Sequence, residues 1–306
     1  MTTASLLLYT ILLMAVGYGQ LVESQSNLEA ILIFAGRLGV DYSNPGKSCR
    51  DIYEYNMASR GRSGYYWIKT DQVYKVYCDM ELSCGGIRGG WMRIANLDTS
   101  QGDNCPNGWS LRTTPQPLCR GSGNKSGCYS TFFPNNRTEY TSICGKLRGY
   151  QQGSPSAFIK IRHDPSINGP YLDGVSITVG GDEERKHVWS YAAGFTKTYN
   201  DDPYKTNCPC AKFPGDDPPI FVKDHYYCES GASSYRPGLT QFFGSDPLWD
   251  GKGCTHGDNC CSTLGAPWFH RQFTQAEKGP IEVRICRDEG YDNEAILVEQ
   301  VELYVQ

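Results

Sequence analysis

The stretches SCRDI (48–52), SGYYWI (63–68), VYCDM (76–80) and GGWMRI (89–94) decide the fold of the first part of this 306-residue chain. The last three are short runs in which aromatic, β-branched and other apolar residues alternate with polar ones, a pattern typical of half-buried β-strands. The paired glycines before the tryptophan allow a tight backbone turn, so that its indole ring can be buried. The four stretches together predict short strands joined by turns.

Similar short runs continue to the end of the chain and predict a mainly antiparallel β fold of the α+β class. The predicted strands cover 65–68, 73–77, 91–95, 157–161, 175–179, 187–192, 281–285 and 296–305. Long stretches rich in Gly, Pro, Asn and Asp separate them at 96–120, 199–219 and 230–265, and each of these contains cysteines. In a compact domain such stretches are either functional loops or loops held by disulfides.

The N-terminal segment predicts export of the chain. An apolar run over 6–16, followed by small and turn-forming residues, has the outline of a signal peptide covering residues 1–19. The run is shorter than the roughly 20 residues that a membrane-spanning helix needs, so we expect it not to stay embedded. The 14 cysteines agree with export, because a reducing cytosol would leave them as reactive thiols. We therefore expect a secreted, extracellular protein.

We expect one domain over residues 48–306, preceded by an N-terminal arm over 20–47. Apolar residues at helical spacing over 28–38 predict a short helix in this arm, either packed on the domain or used for association. The sequence contains no Gly-X-Y run, no sustained heptad pattern and no internal repeat. A homo-oligomer would therefore have to use the globular surface, the arm or an unpaired cysteine.

Two N-glycosylation sequons lie in a polar stretch rich in Gly, Ser and Asn. They begin at Asn124 and Asn136, and they predict a glycoprotein. The formal net charge is -4, and the basic residues are scattered rather than clustered. Because phosphate binding needs clustered cations, we do not expect a nucleic-acid partner. No segment beyond the leader is long and apolar enough to predict a membrane span.

Taken together, the four opening stretches resemble the start of a fibrinogen-related domain, with clear likeness over residues 48–94. That family opens with a cysteine, a Ser-Gly-x-Tyr strand, a Val-x-Cys-Asp-Met strand and a Gly-Gly-Trp strand, in this order. The resemblance implies a loop-rich, disulfide-stapled fibrinogen C-terminal-like fold and a disulfide between Cys49 and Cys78. Closing a loop of this size stabilises a fold by roughly 3–4 kcal/mol in the chain-entropy model.

The same succession is similar to the start of the C-terminal propeptide of fibrillar collagens. Beyond Ala95 the chain departs from fibrinogen-related domains, because it lacks their Asp-rich calcium loop and their Trp-Trp ligand region. Its cysteine-rich second half and closing apolar strand are similar to those of the intelectins, which are secreted calcium-dependent lectins. The intelectin likeness implies lectin-like binding, whereas the collagen likeness implies a structural role.

The Gly-rich loop at 245–259 holds the best predicted calcium ligands, which are the carboxylates of Asp246, Asp250 and Asp258. Calcium takes about six to eight oxygen ligands from carboxylates, carbonyls and water. The spacing of these residues matches no EF-hand loop. The alternative interpretation is that they are solvated Asp residues at turns beside Gly and Pro.

Aromatic and imidazole side chains of the same cysteine-rich region are the predicted ligand-binding residues. They are Trp249, His256, Trp268, Phe269 and His270. Aromatic rings can pack against the apolar faces of sugars while a few fixed polar groups orient the ligand. Core packing is the alternative, above all for Trp268 and Phe269, since large aromatics beside disulfides usually fill small cores.

Motifs for catalysis are missing from the sequence. It contains no Gly-x-Ser-x-Gly elbow, no His-Glu-x-x-His pair and no phosphate-binding loop. Dispersed histidines and oxidised cysteines argue against a zinc site or a cysteine nucleophile. We therefore expect a lectin-like recognition protein that binds extracellular glycans or glycoproteins without catalysis. The alternatives are a structural or adhesive matrix protein and, behind it, a secreted hydrolase.

Overall fold

The structure is a computed structural model of the chain. It describes residues 37–102, 104–113, 117–121, 127–151, 167–168, 174–181, 184–195, 220–222, 225–232, 268–287 and 296–306. Over these residues the protein is mainly antiparallel β-structure, with a single α-helix and four disulfides. The expected β-rich, disulfide-stapled class is thereby confirmed.

One α-helix and fifteen strands follow one another along the described chain, and they form two large sheets and one small hairpin. The elements are α1 (Cys49–Tyr55), β1 (Gly64–Lys69), β2 (Val73–Asp79), β3 (Ser83–Cys84), β4 (Ile87–Arg88), β5 (Trp91–Asp98), β6 (Trp109–Arg112), β7 (Leu118–Gly121), β8 (Gly127–Phe133), β9 (Tyr140–Gln151), β10 (Gly174–Val179), β11 (Lys186–Phe195), β12 (Tyr226–Ala232), β13 (Trp268–Glu277), β14 (Ile281–Arg287) and β15 (Ile296–Val305).

The first sheet is organised around β15. This strand pairs antiparallel with β9 on one side, and with β5 and then β7 on the other. Strands β2 and β1 extend the sheet beyond β5, β6 lies beyond β7, and β13 lies beyond β9. Because β15 is covered on both faces near its end, Leu303, Tyr304 and Val305 are all buried.

The second sheet contains β12, β11, β10, β14 and β8 in this order. β11 and β12 pair in parallel, and the other pairs are antiparallel. The middle strand β10 has the sequence GVSITV, and all six of its residues are buried. Such a short run without exposed positions is consistent with a strand that is covered on both faces.

The two sheets share one hydrophobic core. Trp189 of β11 stacks on Phe269 of β13, with ring centroids 4.7 Å apart and an angle of 11° between the rings. Gly145 of β9 leaves room for the ring of Phe269, because a Cβ at this position would lie 2.3 Å from Cζ of Phe269. The hydroxyl of Tyr191 donates to the carbonyl of Gly149 at 3.4 Å. We call the face of the first sheet that carries these contacts its inner face, and the opposite one its outer face.

Helix α1 enters the domain just before β1, and the sequence analysis did not predict it. The Ser48 side chain accepts a hydrogen bond from the backbone N–H of Asp51 at 3.1 Å, which caps the first turn. Ile52 is fully buried in the core. A disulfide joins Cys49 of the helix to Cys78 of β2, which is the pair that the family resemblance implies. The helix is short, so capping and this covalent tie hold it in place rather than length.

Seven of the eight predicted strands are confirmed as β1, β2, β5, β10, β11, β14 and β15. The strand predicted at 157–161 and nearly all of the helix predicted at 28–38 lie outside the described residues. The prediction of a loop at 96–120 is wrong in part, because β6 and β7 form a hairpin there and a Cys105–Cys119 disulfide staples it.

Candidate functional site

The outer face of the first sheet is covered over part of its area by the hairpin of β3 and β4. Cys84 of this hairpin forms a disulfide with Cys144 of β9. Beneath the hairpin, Trp91 and Tyr304 are buried and form a small second core together with the disulfide. The outward side chains of β1 and β2 lie beyond this cover.

Alternation along β1 and β2 separates core residues from outward ones. Tyr66 and Ile68 are buried in the core. Tyr65 points to the outer face of the sheet and is 63% exposed. The pairing of the two strands places Tyr65 directly opposite Tyr77. Their rings meet edge to face, with centroids 5.6 Å apart and an angle of 83°. This geometry is favourable for the ring quadrupoles, so the two rings hold each other in place.

Cationic side chains lie over these outward rings. Lys75 is paired across the strands with Trp67, and its Nζ is 5.7 Å from the centroid of Trp67 and 5.9 Å from that of Tyr65. The guanidinium carbon of Arg93, on β5, is 3.9 Å from the ring centroid of Tyr77. Within the described part of the chain, neither cation forms a salt bridge. Their charges are held against aromatic faces instead of carboxylates.

Tyr42 extends this arrangement past the edge of β1. Its ring meets Trp67 edge to face at 5.1 Å, and the residue is 62% exposed. We call the whole set the aromatic–cation row, and it consists of Tyr42, Tyr65, Trp67, Lys75, Tyr77 and Arg93. It is a surface of fixed rings interleaved with two positive charges.

A second exposed ring lies on the same outer face at the other side of the sheet. Trp268, on β13, is 41% exposed, and Nζ of Lys146 is 5.8 Å from its centroid. The two residues are paired across β13 and β9. Four strand spacings separate β2 from β13, which corresponds to about 19 Å. The outer face thus presents the same combination of ring and cation twice.

The structure separates the three adjacent residues that the sequence predicts as ligand-binding. Trp268 is exposed on the outer face, as a ligand contact requires. Phe269 is only 6% exposed and packs in the core, which matches the alternative interpretation for this residue. His270 lies under the β3–β4 hairpin, edge-on to Trp91 at 6.1 Å and close to Gly85. Burial lowers the pKa of the His270 ring.

The other predicted site residues of the second half lie outside the described residues. They are the calcium candidates Asp246, Asp250 and Asp258 and the ligand candidates Trp249 and His256. Among the residues that the structure describes, no cluster of three or more His, Cys, Asp or Glu side chains could hold a metal ion. The calcium site therefore remains a prediction from sequence.

Of the two sequons, the one at Asn124 also lies outside the described residues, and the one at Asn136 lies on a turn. Asn136 and Arg137 have φ angles of 51° and 55°, the left-handed region that Asn tolerates well. Thr138 of the sequon is buried, and its hydroxyl is directed to the sulfur of Met92 at 3.8 Å. Asn136, the glycan acceptor, is thus partly exposed on a turn, and the buried Thr138 holds the end of this turn in place.

None of the residues of the aromatic–cation row was predicted as a site residue from the sequence. The signal was present, because every second residue from Tyr65 to Lys69 and from Lys75 to Tyr77 is an aromatic or a cation. Alternation of this kind indicates an outward strand face. The sequence does not reveal that the outward residues of β1 and β2 are neighbours, or that Arg93 of β5 lies beside them.

Neither the comparison with protein-family models nor the search among curated proteins finds a match for this chain. Its function is therefore argued from geometry and chemistry. No helix within the described ranges has the length and apolar character needed to span a membrane.

Proposed function

We propose that this protein is an extracellular recognition protein that binds acidic glycans through the aromatic–cation row. The observation that carries the proposal is the exposed ring of Tyr65, fixed between the ring of Tyr77 and the ammonium group of Lys75. Four disulfides in the described chain support an oxidising, extracellular location.

The aromatic side chains supply the affinity for sugar rings. An exposed Tyr or Trp ring offers a flat apolar surface and a polar edge, which is the chemistry that the C–H faces and hydroxyls of a sugar require. Edge-to-face contacts already restrict the rings of Tyr65, Trp67 and Tyr42 before a ligand arrives. Binding therefore costs less side-chain entropy than it would at mobile rings.

The cations favour glycans that carry carboxylate or sulfate groups. Asp79 is the nearest carboxylate on β2, and it is engaged in holding the following turn. It accepts hydrogen bonds from the Ser63 hydroxyl at 3.1 Å and from the N–H groups of Glu81 and Leu82 at 2.9 and 2.8 Å. Lys75 and Arg93 form no salt bridge within the described chain, so their charges remain available to the carboxylate or sulfate groups of a ligand, although the whole chain has a formal net charge of -4.

The proposal is tested by binding of the secreted protein to immobilised hyaluronan, chondroitin sulfate and neutral dextran, with and without Ca²⁺. We expect the acidic polymers to bind and dextran not to bind, and we expect binding to weaken as salt rises. The arm without Ca²⁺ decides whether the predicted calcium site takes part.

Two tyrosines of equal exposure provide a matched pair of variants. Tyr65 lies in the row and Tyr55 lies on α1 outside it, and each is 63% exposed. We expect Tyr65→Ala to weaken binding at least about tenfold, as loss of a central aromatic contact does, and Tyr55→Ala to leave it unchanged. Equal effects of the two substitutions, or binding to none of the polymers, would contradict the proposal. Binding to matrix proteins alone would favour the structural or adhesive alternative.

A further inference from the structure

A cavity of about 470 Å³ opens on the inner side of β13, away from the aromatic–cation row. Its walls come from β13, from the start of β11 and from the short segment 220–222. Arg271 and Phe273 line it from β13, and Arg271 has the same strand parity as the inward-facing Phe269. No role in the proposed glycan binding is assigned to this cavity.

One side of the cavity is apolar. Phe221 and Phe273 line it, and the ring of Phe221 meets the ring of His187 at 5.7 Å with an angle of 69°. A ligand that fills the cavity therefore needs an apolar body as well as polar atoms.

His187 and Arg271 bring buried polar atoms to the same cavity. His187 is 7% exposed; its Nε2 lies 2.8 Å from the Ser190 hydroxyl, while its Nδ1 has no hydrogen-bond partner in the part of the chain that is described. Nε of Arg271 is likewise buried without a partner there. A buried polar atom left unpaired costs about 1–3 kcal/mol. Because both residues line the cavity, a ligand that enters it can pair the two atoms when their side chains rotate toward it.

The charge of the cavity is nearly balanced apart from Arg271. Arg185 is bound by Glu282, with Nε and Oε2 2.6 Å apart, and Lys186 is bound by Glu277, with Nζ and Oε1 2.8 Å apart. Burial, with the nearby His225 and Arg271 as further causes, lowers the pKa of His187 to about 3, so its ring is neutral at pH 7. One uncompensated cation remains, which suits a ligand with a single negative charge.

We infer that this cavity binds a small monoanionic carboxylate with an apolar body. One carboxylate oxygen accepts a hydrogen bond from Nε of Arg271. The other accepts from Nδ1–H of His187, a tautomer in which the Ser190 hydroxyl donates to Nε2. The apolar body packs between Phe221 and Phe273.

The test is titration of the full secreted chain with benzoate, benzamide and inorganic phosphate, followed by calorimetry and by the NMR resonance of His187 Nδ1. Benzamide has the shape of benzoate without its charge. We expect saturable binding of benzoate, at least tenfold weaker binding of benzamide, a shift of the Nδ1 resonance on benzoate addition, and no competition from phosphate. No saturable binding, equal affinity for benzamide, or competition by phosphate overturns the inference.

Two arginine variants test whether benzoate binds in this cavity. We expect Arg271→Gln to weaken benzoate binding at least tenfold and Arg137→Gln, at an exposed turn away from the cavity, to leave it unchanged. If Arg271→Gln unfolds, the wild-type Nδ1 resonance alone decides, because benzoate bound elsewhere does not shift it. The Tyr65→Ala variant should bind benzoate as the wild type does, which keeps this inference separate from the glycan proposal.

Discussion

Replacing Arg185 should destabilise the protein, because the buried carboxylate of Glu282 would lose its closest cation and keep Arg284, whose Nε lies 3.7 Å from Oε1, as the remaining one. The side chains of Arg185 and Glu282 are 14% and 2% exposed. Two hydrogen bonds join them, Nε to Oε2 at 2.6 Å and Nη2 to Oε1 at 3.2 Å, and the Thr178 hydroxyl donates to Oε2 at 2.9 Å. Burial alone would raise the pKa of Glu282, but these hydrogen bonds outweigh it and hold the pKa below its usual value.

The size of the effect follows from this burial. Removing one partner of a buried ion pair costs about 3–5 kcal/mol, because the remaining charge stays desolvated. We expect a loss at the lower end of this range in the free energy of unfolding for Arg185→Met, because Arg284 still offsets part of the Glu282 charge. Lys186→Met is the matched control, because Lys186 is the next residue and also pairs with a glutamate, but its side chain is 58% exposed. Such a pair contributes under about 1 kcal/mol.

The measurement is urea unfolding of the disulfide-intact protein at pH 7, followed by tryptophan fluorescence. Equal losses for the two methionine variants would refute the reasoning.

Three further predictions concern stability and modification. The Cys128–Cys286 disulfide closes a separation of 158 residues, so replacing both with Ala should cost about 5 kcal/mol in the chain-entropy model; a loss under about 1 kcal/mol in urea unfolding would contradict this. His187 has a pKa of about 3 in the folded protein, which is below its value in the unfolded chain. Its contribution to the free energy of unfolding is therefore complete above about pH 6.5 and is lost as the pH falls. By pH 5 this loss in the free energy of unfolding is about 2 kcal/mol. The stability of His187→Gln should therefore depend less on pH than that of the wild type. The same pH dependence in both proteins would show that the ring does not take up a proton on unfolding. Asn136→Asp keeps a residue that tolerates the left-handed turn but removes the sequon, so on gels the secreted variant should migrate faster and lose its glycosidase-sensitive shift; wild-type protein that glycosidase does not shift would count against glycosylation.

The strands that could be predicted are those in which apolar residues alternate or run together. β1, β2 and β15 show such patterns because the core covers at least one of their faces along most of their length. β13 does not, because only Phe269 of its ten residues is buried. An edge strand of this kind contains mostly polar residues, and its pairing with β9 is fixed by tertiary contacts rather than by a local pattern.

The site was less predictable than the fold because its residues come from separate strands. Tyr77 and Arg93 are sixteen positions apart, and they become neighbours only because β2 and β5 pair antiparallel. The sequence predicts ligand residues in the cysteine-rich second half, where aromatic residues and carboxylates occur together. Of that set, Trp268 has the exposure that a ligand contact requires.

Strand β13 carries the exposed Trp268 on one face and part of the proposed carboxylate cavity on the other, because alternate residues of one strand point to opposite faces of a sheet. Trp268 is exposed on the outer face beside Lys146, and Arg271 lines the cavity on the inner side. A shift of β13 by one residue against β9 would exchange the two sets of side chains, so the exposure of Trp268 and the position of Arg271 in the cavity depend on the same register. Phe269 fixes this register, because its ring stacks on Trp189 in the space that Gly145 leaves open. Phe269 therefore positions Trp268 and Arg271 on opposite faces of β13, although it is itself buried in the core.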